Sequence, residues 1–219
     1  MSVPKYIDTY DLDSTTPSTL AGPVTTYVVF KRLFDLGLIV VFSPFIIPLM
    51  IVTAIIIKLE SKGPVFFWQK RVGVHGKVFN MLKFRSMTTD SEKEGSQFAQ
   101  NGDKRVTRFG RLIRKMRIDE IPQLLNIIQG DMSLIGPRPE QVKFVEEFER
   151  AIPLYASRHV VRPGITGLAQ VEQGYVDDED GTRTKLVYDL HYIDHLSFKM
   201  DMEIVGKTIY TMATGFGAR

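Results

Sequence analysis

No cysteine occurs in the 219 residues of this chain. That absence excludes disulfides, thiolate metal sites and cysteine nucleophiles, and it agrees with a cytoplasmic setting. Charge is missing from residues 36 to 57, an apolar run bounded by Asp35 and Lys58. Acid is missing from a second stretch: after Asp103 come Lys104, Arg105, Arg108, Arg111, Arg114, Lys115 and Arg117 before the next carboxylate. The net charge is only +3, so this local excess of cations needs an anionic partner or surface. Internal repeats are absent as well, and the length suits one ordinary domain plus a membrane element. Residues 1–26, rich in Thr, Ser, Pro and Asp and without apolar periodicity, read as a polar tail.

The apolar run is long enough to matter. As a straight helix at about 1.5 Å per residue it would extend roughly 33 Å, against a hydrocarbon core of about 30 Å. Yet it contains "SPFIIP". Pro44 cannot donate to the Val40 carbonyl, Pro48 cannot donate to that of Pro44, and Ser43 and Ile47 each precede a proline. The Ser43 hydroxyl is placed to satisfy a freed carbonyl. A break at Ser43 and Pro44 leaves arms of roughly 12 and 20 Å, neither of which crosses alone. Cytoplasmic flanks collect Lys and Arg, and here both do: Lys31 and Arg32 before the run, Lys58, Lys62, Lys70 and Arg71 after it. The expectation is a re-entrant helix-break-helix hairpin over residues 27–60, with both ends on the cytoplasmic face. A straight span with a proline kink is the competing reading. A cleaved signal peptide fits less well, because the segment is long and lacks a small-residue cleavage site.

Residues 61–219 read as a predominantly helical α+β domain. β-favouring runs around Phe66 and Phe79 flank "GVHGK" and predict a small β-hairpin. Phe66, Phe67 and Trp68 suit either the lipid headgroup level or a core. Residues 88–103 read as a loop. From Arg108 to Met116 the apolar positions Phe109, Leu112, Ile113 and Met116 recur at helical spacing beside a basic face. Such a helix lies in a membrane interface or forms an ordinary solvated surface. Further helices are expected over Ile121–Ile128, Glu140–Arg150 and Lys185–Met212, the last amphipathic through Leu186, Leu190, Ile193 and Leu196.

Asp119 and Glu120 follow the basic helix directly. Adjacent helical side chains point about 100° apart, so two distinct roles are more natural than one clasp. A carboxylate among many cations tends to stay ionised, which suits a nucleophile or a metal ligand; the plain alternative is a solvated helix start. Downstream, "GPRPE" stiffens a loop that presents Arg138, whose fork suits a phosphate. "VRPGITGLAQ" presents Arg162 among glycines that would let backbone approach a ligand, and "KFRSM" adds Lys83 and Arg85.

Taken in order, "KRLFD", the broken apolar segment with "FSP", "KFRSM", "RKMRIDEIPQLLNIIQGDMSLIGPRP" and "VRPGITGLAQV" resemble the bacterial sugar transferase family, the monotopic phosphoglycosyl transferases. The likeness covers residues 30 to about 215, and the lack of a multi-span N-terminal extension resembles the small members. The resemblance implies transfer of a sugar 1-phosphate from a UDP-sugar to a polyprenyl (undecaprenyl) phosphate, releasing UMP through a covalent aspartyl phosphosugar. That reaction begins glycoconjugate or exopolysaccharide synthesis at the cytoplasmic face of a bacterial inner membrane. By motif it makes Asp119 the nucleophile with Glu120 beside it, both in contact with the required Mg2+. It makes Arg114 and Arg138 phosphate-binding arginines, with Lys83 and Arg85 as further substrate contacts; the rigid loop of "VRPGITGLAQ" adds Arg162 as a substrate-binding candidate on its own chemistry. UDP-sugar, polyprenyl phosphate and membrane lipid are the implied partners; nucleic acid is not, and a homodimer is left open. Departures from the family pattern fall at Leu168, at "EQG" from Glu172, and at His191, and they bear on the sugar rather than on the phosphate chemistry.

Other readings compete. "HYIDH" sets His191 and His195 one turn apart beside Asp194, a zinc-like spacing that more often belongs to a structural helix. Asp177, Asp178, Glu179 and Asp180 would serve as the metal motif of a UDP-releasing glycosyltransferase, or form a solvated loop closed by Gly181. A non-catalytic module using the basic helix to bind anionic lipid or nucleic acid is the remaining class.

Overall fold

The computed structural model describes residues 10–13, 25–88, 103, 105–173 and 179–214. It is predominantly helical, with two small two-stranded sheets. Helix α1, Thr25–Glu60, runs for 36 residues with Pro44 and Pro48 inside it. Two arms parted at Ser43 and Pro44 were expected; the backbone is instead one uninterrupted helical element. Ser43 supplies a reason. Its hydroxyl donates to the Val40 carbonyl at 2.7 Å, the acceptor that Pro44 has no N–H to reach. Val40, Val41, Phe42, Phe45 and Ile47 are all more than half exposed. An uncharged apolar stretch left open in this way, and long enough to cross a bilayer, marks a membrane-associated protein.

Both ends of α1 are fastened to the rest of the chain. Near its start, Tyr27 Oη and Lys31 Nζ donate to Asp201 Oδ2 at 2.6 and 2.5 Å, and Asp35 accepts from Ser133 Oγ at 2.6 Å. Near its end, Ile57 is buried with Phe84 and Ile113, and the Glu60 carboxylate accepts the Phe109 N–H at 2.9 Å.

The hairpin expected around "GVHGK" is present. Strands β1, Phe66–Val72, and β2, Val78–Phe84, pair antiparallel from Phe66 opposite Phe84 to Val72 opposite Val78. Its turn takes left-handed dihedrals at His75 and Gly76. Of the aromatic trio, Phe66 stacks on Phe84 while Trp68 stays exposed, so core and interface divide them. Helix α2, Arg108–Lys115, buries Ile113 and leaves Leu112 and Met116 about half exposed, an apolar outer edge beside the arginines. Helix α3, Gln123–Gln129, and helix α4, Val142–Ala151, begin about two residues later than the periodicity suggested.

Strands β3, Ser133–Ile135, and β4, Gly164–Thr166, form a parallel pair too short to show alternation in the sequence. Helix α5, Leu168–Glu172, leads to what was expected as one long helix and is two: α6, Glu179–Asp194, and α7, Phe198–Thr214. Ser197 starts the second, its hydroxyl accepting the Met200 N–H at 3.3 Å, and the change of direction delivers Asp201 to Tyr27, Lys31 and Tyr192. Leu186, Leu190, Ile193 and Leu196 are buried in the main core, as their spacing predicted. Within the expected polar tail, Tyr10 is buried and donates to Asp194 at 2.6 Å, so residues 10–13 are docked rather than loose. Asp177, Asp178 and most of the expected 88–103 loop lie outside the described residues, while Glu179 and Asp180 open α6.

Candidate active site

Thr107 caps α2 by accepting the Gly110 N–H, and the helix runs out at Met116. Arg117 then adopts left-handed dihedrals (φ 57°, ψ 17°), which turn the chain into a 3-10 turn over Ile118–Glu120. Ile118 packs towards Phe84 and Ile113, pulling the turn onto β2. The result is that Asp119 and Glu120 are both buried, 8% and 5% exposed. A solvated helix start is therefore excluded for this pair.

The two carboxylates have different surroundings. Glu120 Oε1 receives Lys83 Nζ from β2 at 3.0 Å and Arg138 Nη2 at 3.0 Å, with Arg117 Nη1 at 3.9 Å. Burial pushes the Glu120 carboxyl up, but Lys83, Arg138 and Arg117 outweigh it and hold the group well below the ordinary carboxylate range. Asp119 has no such pairing, and its Oδ1 is a buried oxygen without a hydrogen-bond partner. Burial, then the charge of Glu120, push its carboxyl up against the opposing pull of Lys83, Arg114 and Arg117. Glu120 thus organises cations, while Asp119 keeps an uncommitted oxygen.

Arg138 is held by its own backbone. Arg158 Nη2 donates to the Arg138 carbonyl at 2.9 Å, Arg71 Nη1 to that of Pro139 at 2.9 Å, and the Val72 N–H to that of Glu140 at 3.0 Å. Arg158 is itself buried and paired with Asp189 at 2.6 Å, and Glu140 takes Lys185 and Arg71. Burial pushes Glu140 up, yet Lys185, Arg158 and Arg71 bring it down to about 2. The glycines of "VRPGITG" approach this same loop rather than leaving room for a ligand: Gly164 N–H donates to the Pro137 carbonyl at 3.0 Å, and a Cβ there would strike Gly136.

Of the residues expected at the site, Asp119, Glu120, Lys83 and Arg138 come together. Arg114 is half-buried on α2, and its charge acts on Asp119. Arg85 is turned elsewhere, its guanidinium donating to the Ser61 and Lys62 carbonyls at 2.8 and 2.9 Å beyond the end of α1. Arg162 donates to the Gly130 carbonyl after α3, on the side where Arg32 meets the carbonyls of Ile127 and Ile128. His191 and His195 face each other at 4.1 Å between ring centroids, and no group of three metal-ligating side chains occurs among the described residues.

Residues 26–215 match the family model described as bacterial sugar transferase. The chain belongs to that family. A UDP-N-acetylgalactosamine-undecaprenyl-phosphate N-acetylgalactosaminephosphotransferase of Aeromonas hydrophila is 55% identical over 202 residues, 92% of this chain and 47% of that protein. A UDP-glucose:undecaprenyl-phosphate glucose-1-phosphate transferase of Caulobacter vibrioides is 41% identical, over 84% of this chain and 70% of its own length. An exopolysaccharide production protein of Rhizobium leguminosarum bv. phaseoli is 38% identical over 85% of this chain and 96% of its own length. The chain thus spans about half of the Aeromonas protein and most of the other two.

In this bacterial sugar transferase the donor set fits Mg2+: one unpartnered buried carboxylate oxygen beside a second carboxylate. Mg2+ is commonly held by one or two carboxylates together with substrate phosphates and water. Sequence reasoning missed Gln123, which lies one turn after Asp119, is 1% exposed and carries an amide nitrogen with no partner. The i, i+4 spacing from Asp119 was the available signal. It also missed Arg158, Arg71 and Arg117, whose roles depend on partners distant in the chain.

Proposed function

We propose that this protein moves a sugar 1-phosphate from a UDP-sugar to a polyprenyl phosphate and releases UMP. The observation that carries the reading is the division of labour at the buried acidic pair in a chain of this family. Glu120 gathers Lys83 and Arg138, and Asp119 presents a free oxygen beside them. In the first half-reaction an Asp119 oxygen bonds to the sugar-bearing phosphorus. The bond from that phosphorus to the bridging oxygen breaks, and its electron pair leaves with UMP. In the second, a phosphate oxygen of the lipid bonds to the same phosphorus, the bond to Asp119 breaks and the carboxylate is restored. Lys83, Arg114 and Arg138 orient the phosphates and offset the charge of a carboxylate meeting a diphosphate. When bound at Asp119 and Glu120, Mg2+ supplies further positive charge to the phosphate oxygens.

The same reading makes α1 a re-entrant element in the cytoplasmic leaflet of the inner membrane. The domain holds α1 on both sides of Pro44 and Pro48: Ile39 packs with the cluster of Ile127 and Met132, and Ile57 with Ile113 and Phe84. In this reading the element bends at the prolines and returns, and attachment on both sides of them keeps the site at the depth of a lipid phosphate.

The test uses the full chain in membranes with Mg2+, polyprenyl phosphate and a UDP-sugar panel. The panel begins with UDP-N-acetylgalactosamine and UDP-glucose, the donors named for the relatives. UMP is the expected nucleotide product, and a donor labelled in its sugar-bearing phosphate should leave label on the protein. Asp119→Asn should abolish both. UDP as product supports an ordinary glycosyltransferase and sinks the reading, as does labelling retained by the Asn variant.

A further inference from the structure

We propose that Arg117 is a catalytic residue, resting on the phosphosugar transfer above: its guanidinium leaves Glu120 and closes on the donor diphosphate as Asp119 attacks. The backbone gives the first reason. Arg117 and His75 are the non-glycine residues with positive φ among those described. The turn between α2 and Ile118 needs this conformation, because the Arg117 N–H donates to Arg114 at 3.1 Å and its carbonyl accepts the Glu120 N–H at 3.2 Å. Glycine or asparagine would satisfy such a turn at lower cost, since an L side chain with a Cβ crowds the following carbonyl in the left-handed region. An arginine therefore stands here against backbone preference, and its side chain is 48% exposed, so packing does not account for it.

Its donors give the second reason. Lys83 and Arg138 each lie 3.0 Å from Glu120 Oε1, whereas Arg117 Nη1 stands off at 3.9 Å. Its guanidinium makes no hydrogen bond among the described residues. The planar donor fork is free to take phosphate oxygens in pairs. Charge supplies the third. Lys83, Arg114 and Arg138 already face the two carboxylates Asp119 and Glu120, so they offset only part of the negative charge that an incoming diphosphate adds. Arg117 is the exposed cation beside the pair. As the bridging P–O bond breaks, its N–H groups hydrogen-bond the oxygens of the departing UMP phosphate.

Arg117→Gly, Arg117→Met and Arg117→Lys, made in the full chain, separate backbone from charge. For the glycine variant the melting temperature should be unchanged or higher. Its kcat for UMP release should fall roughly 100-fold or more, with a smaller change in KM. The methionine variant should lose as much, and lysine, at the same backbone cost, should stay within about tenfold of wild type. A glycine or methionine variant within about threefold of wild type overturns the proposal, and so do equal rates for lysine and methionine. Wild-type protein that neither releases UMP nor takes up label overturns the parent reading instead, so the two failures are distinguishable.

Discussion

At Asp119 burial and the neighbouring charge of Glu120 act together against the cations, and the carboxyl is pushed up. To act as the proposed nucleophile Asp119 must be ionised, so the rate should fall as pH drops through a value above the ordinary aspartate range of about 3.9. Glu120→Gln removes one negative charge and frees Lys83 and Arg138 to act on Asp119. The acid limb of kcat/KM should then move to lower pH at fixed Mg2+, and a limb that stays in place or rises counts against the assignment. The sign also reaches stability. A carboxyl raised in the folded state favours folding when protonated and loses that contribution as pH rises from its unfolded to its folded value. At neutral pH ionised Asp119 is a net cost, and Asp119→Asn should melt at a higher temperature while losing turnover. The motif made two roles for the acidic pair legible but not which residue the cations would hold. Lys83 arrives from β2 and Arg138 from the loop after β3, and both meet the Glu120 side of the turn.

One element is set against another by a side chain that imitates a strand. Asn126 on α3 is 2% exposed; its Oδ1 accepts the Leu82 N–H at 2.9 Å, and its Nδ2 donates to the Asn80 carbonyl at 2.8 Å. Both groups belong to β2, so the amide fixes α3, and the acidic turn before it, against the strand carrying Lys83. Replacing Asn126 with Leu leaves the buried Leu82 N–H unsatisfied, at about 1–3 kcal/mol, and removes the partner of the Asn80 carbonyl, which lies nearer solvent. A lowered melting temperature with weakened label formation is the expected result, and full retention of both would remove this positioning role. At this scale the periodic parts were legible: α2 and the buried face of α6 follow from apolar spacing. The division between α6 and α7 was not, because the apolar pattern runs through His195–Ser197. The turn is repaid only when Asp201 reaches Tyr27, Lys31 and Tyr192.

For the molecule as a whole, α1 meets the same domain at Asp35 and at Ile57, although the residues between are open and apolar. With no native cysteine, single cysteines at Val29 and Lys62, both exposed, report the sidedness of each flank. Neither should react with an impermeant thiol reagent in intact spheroplasts, and both should react in inverted vesicles. Reaction of one site from each side would make α1 a simple span. The order of motifs, the apolar run with its prolines, the basic helix and the acidic pair were set by sequence alone, because spacing and residue chemistry are local properties. Tertiary structure decided which carboxylate takes the cations, that Arg85 serves the end of α1, and how buried Arg158 and Arg71 brace Arg138. Those outcomes depend on burial and on contacts between residues far apart in the chain, and no local pattern encodes which distant charge will meet which.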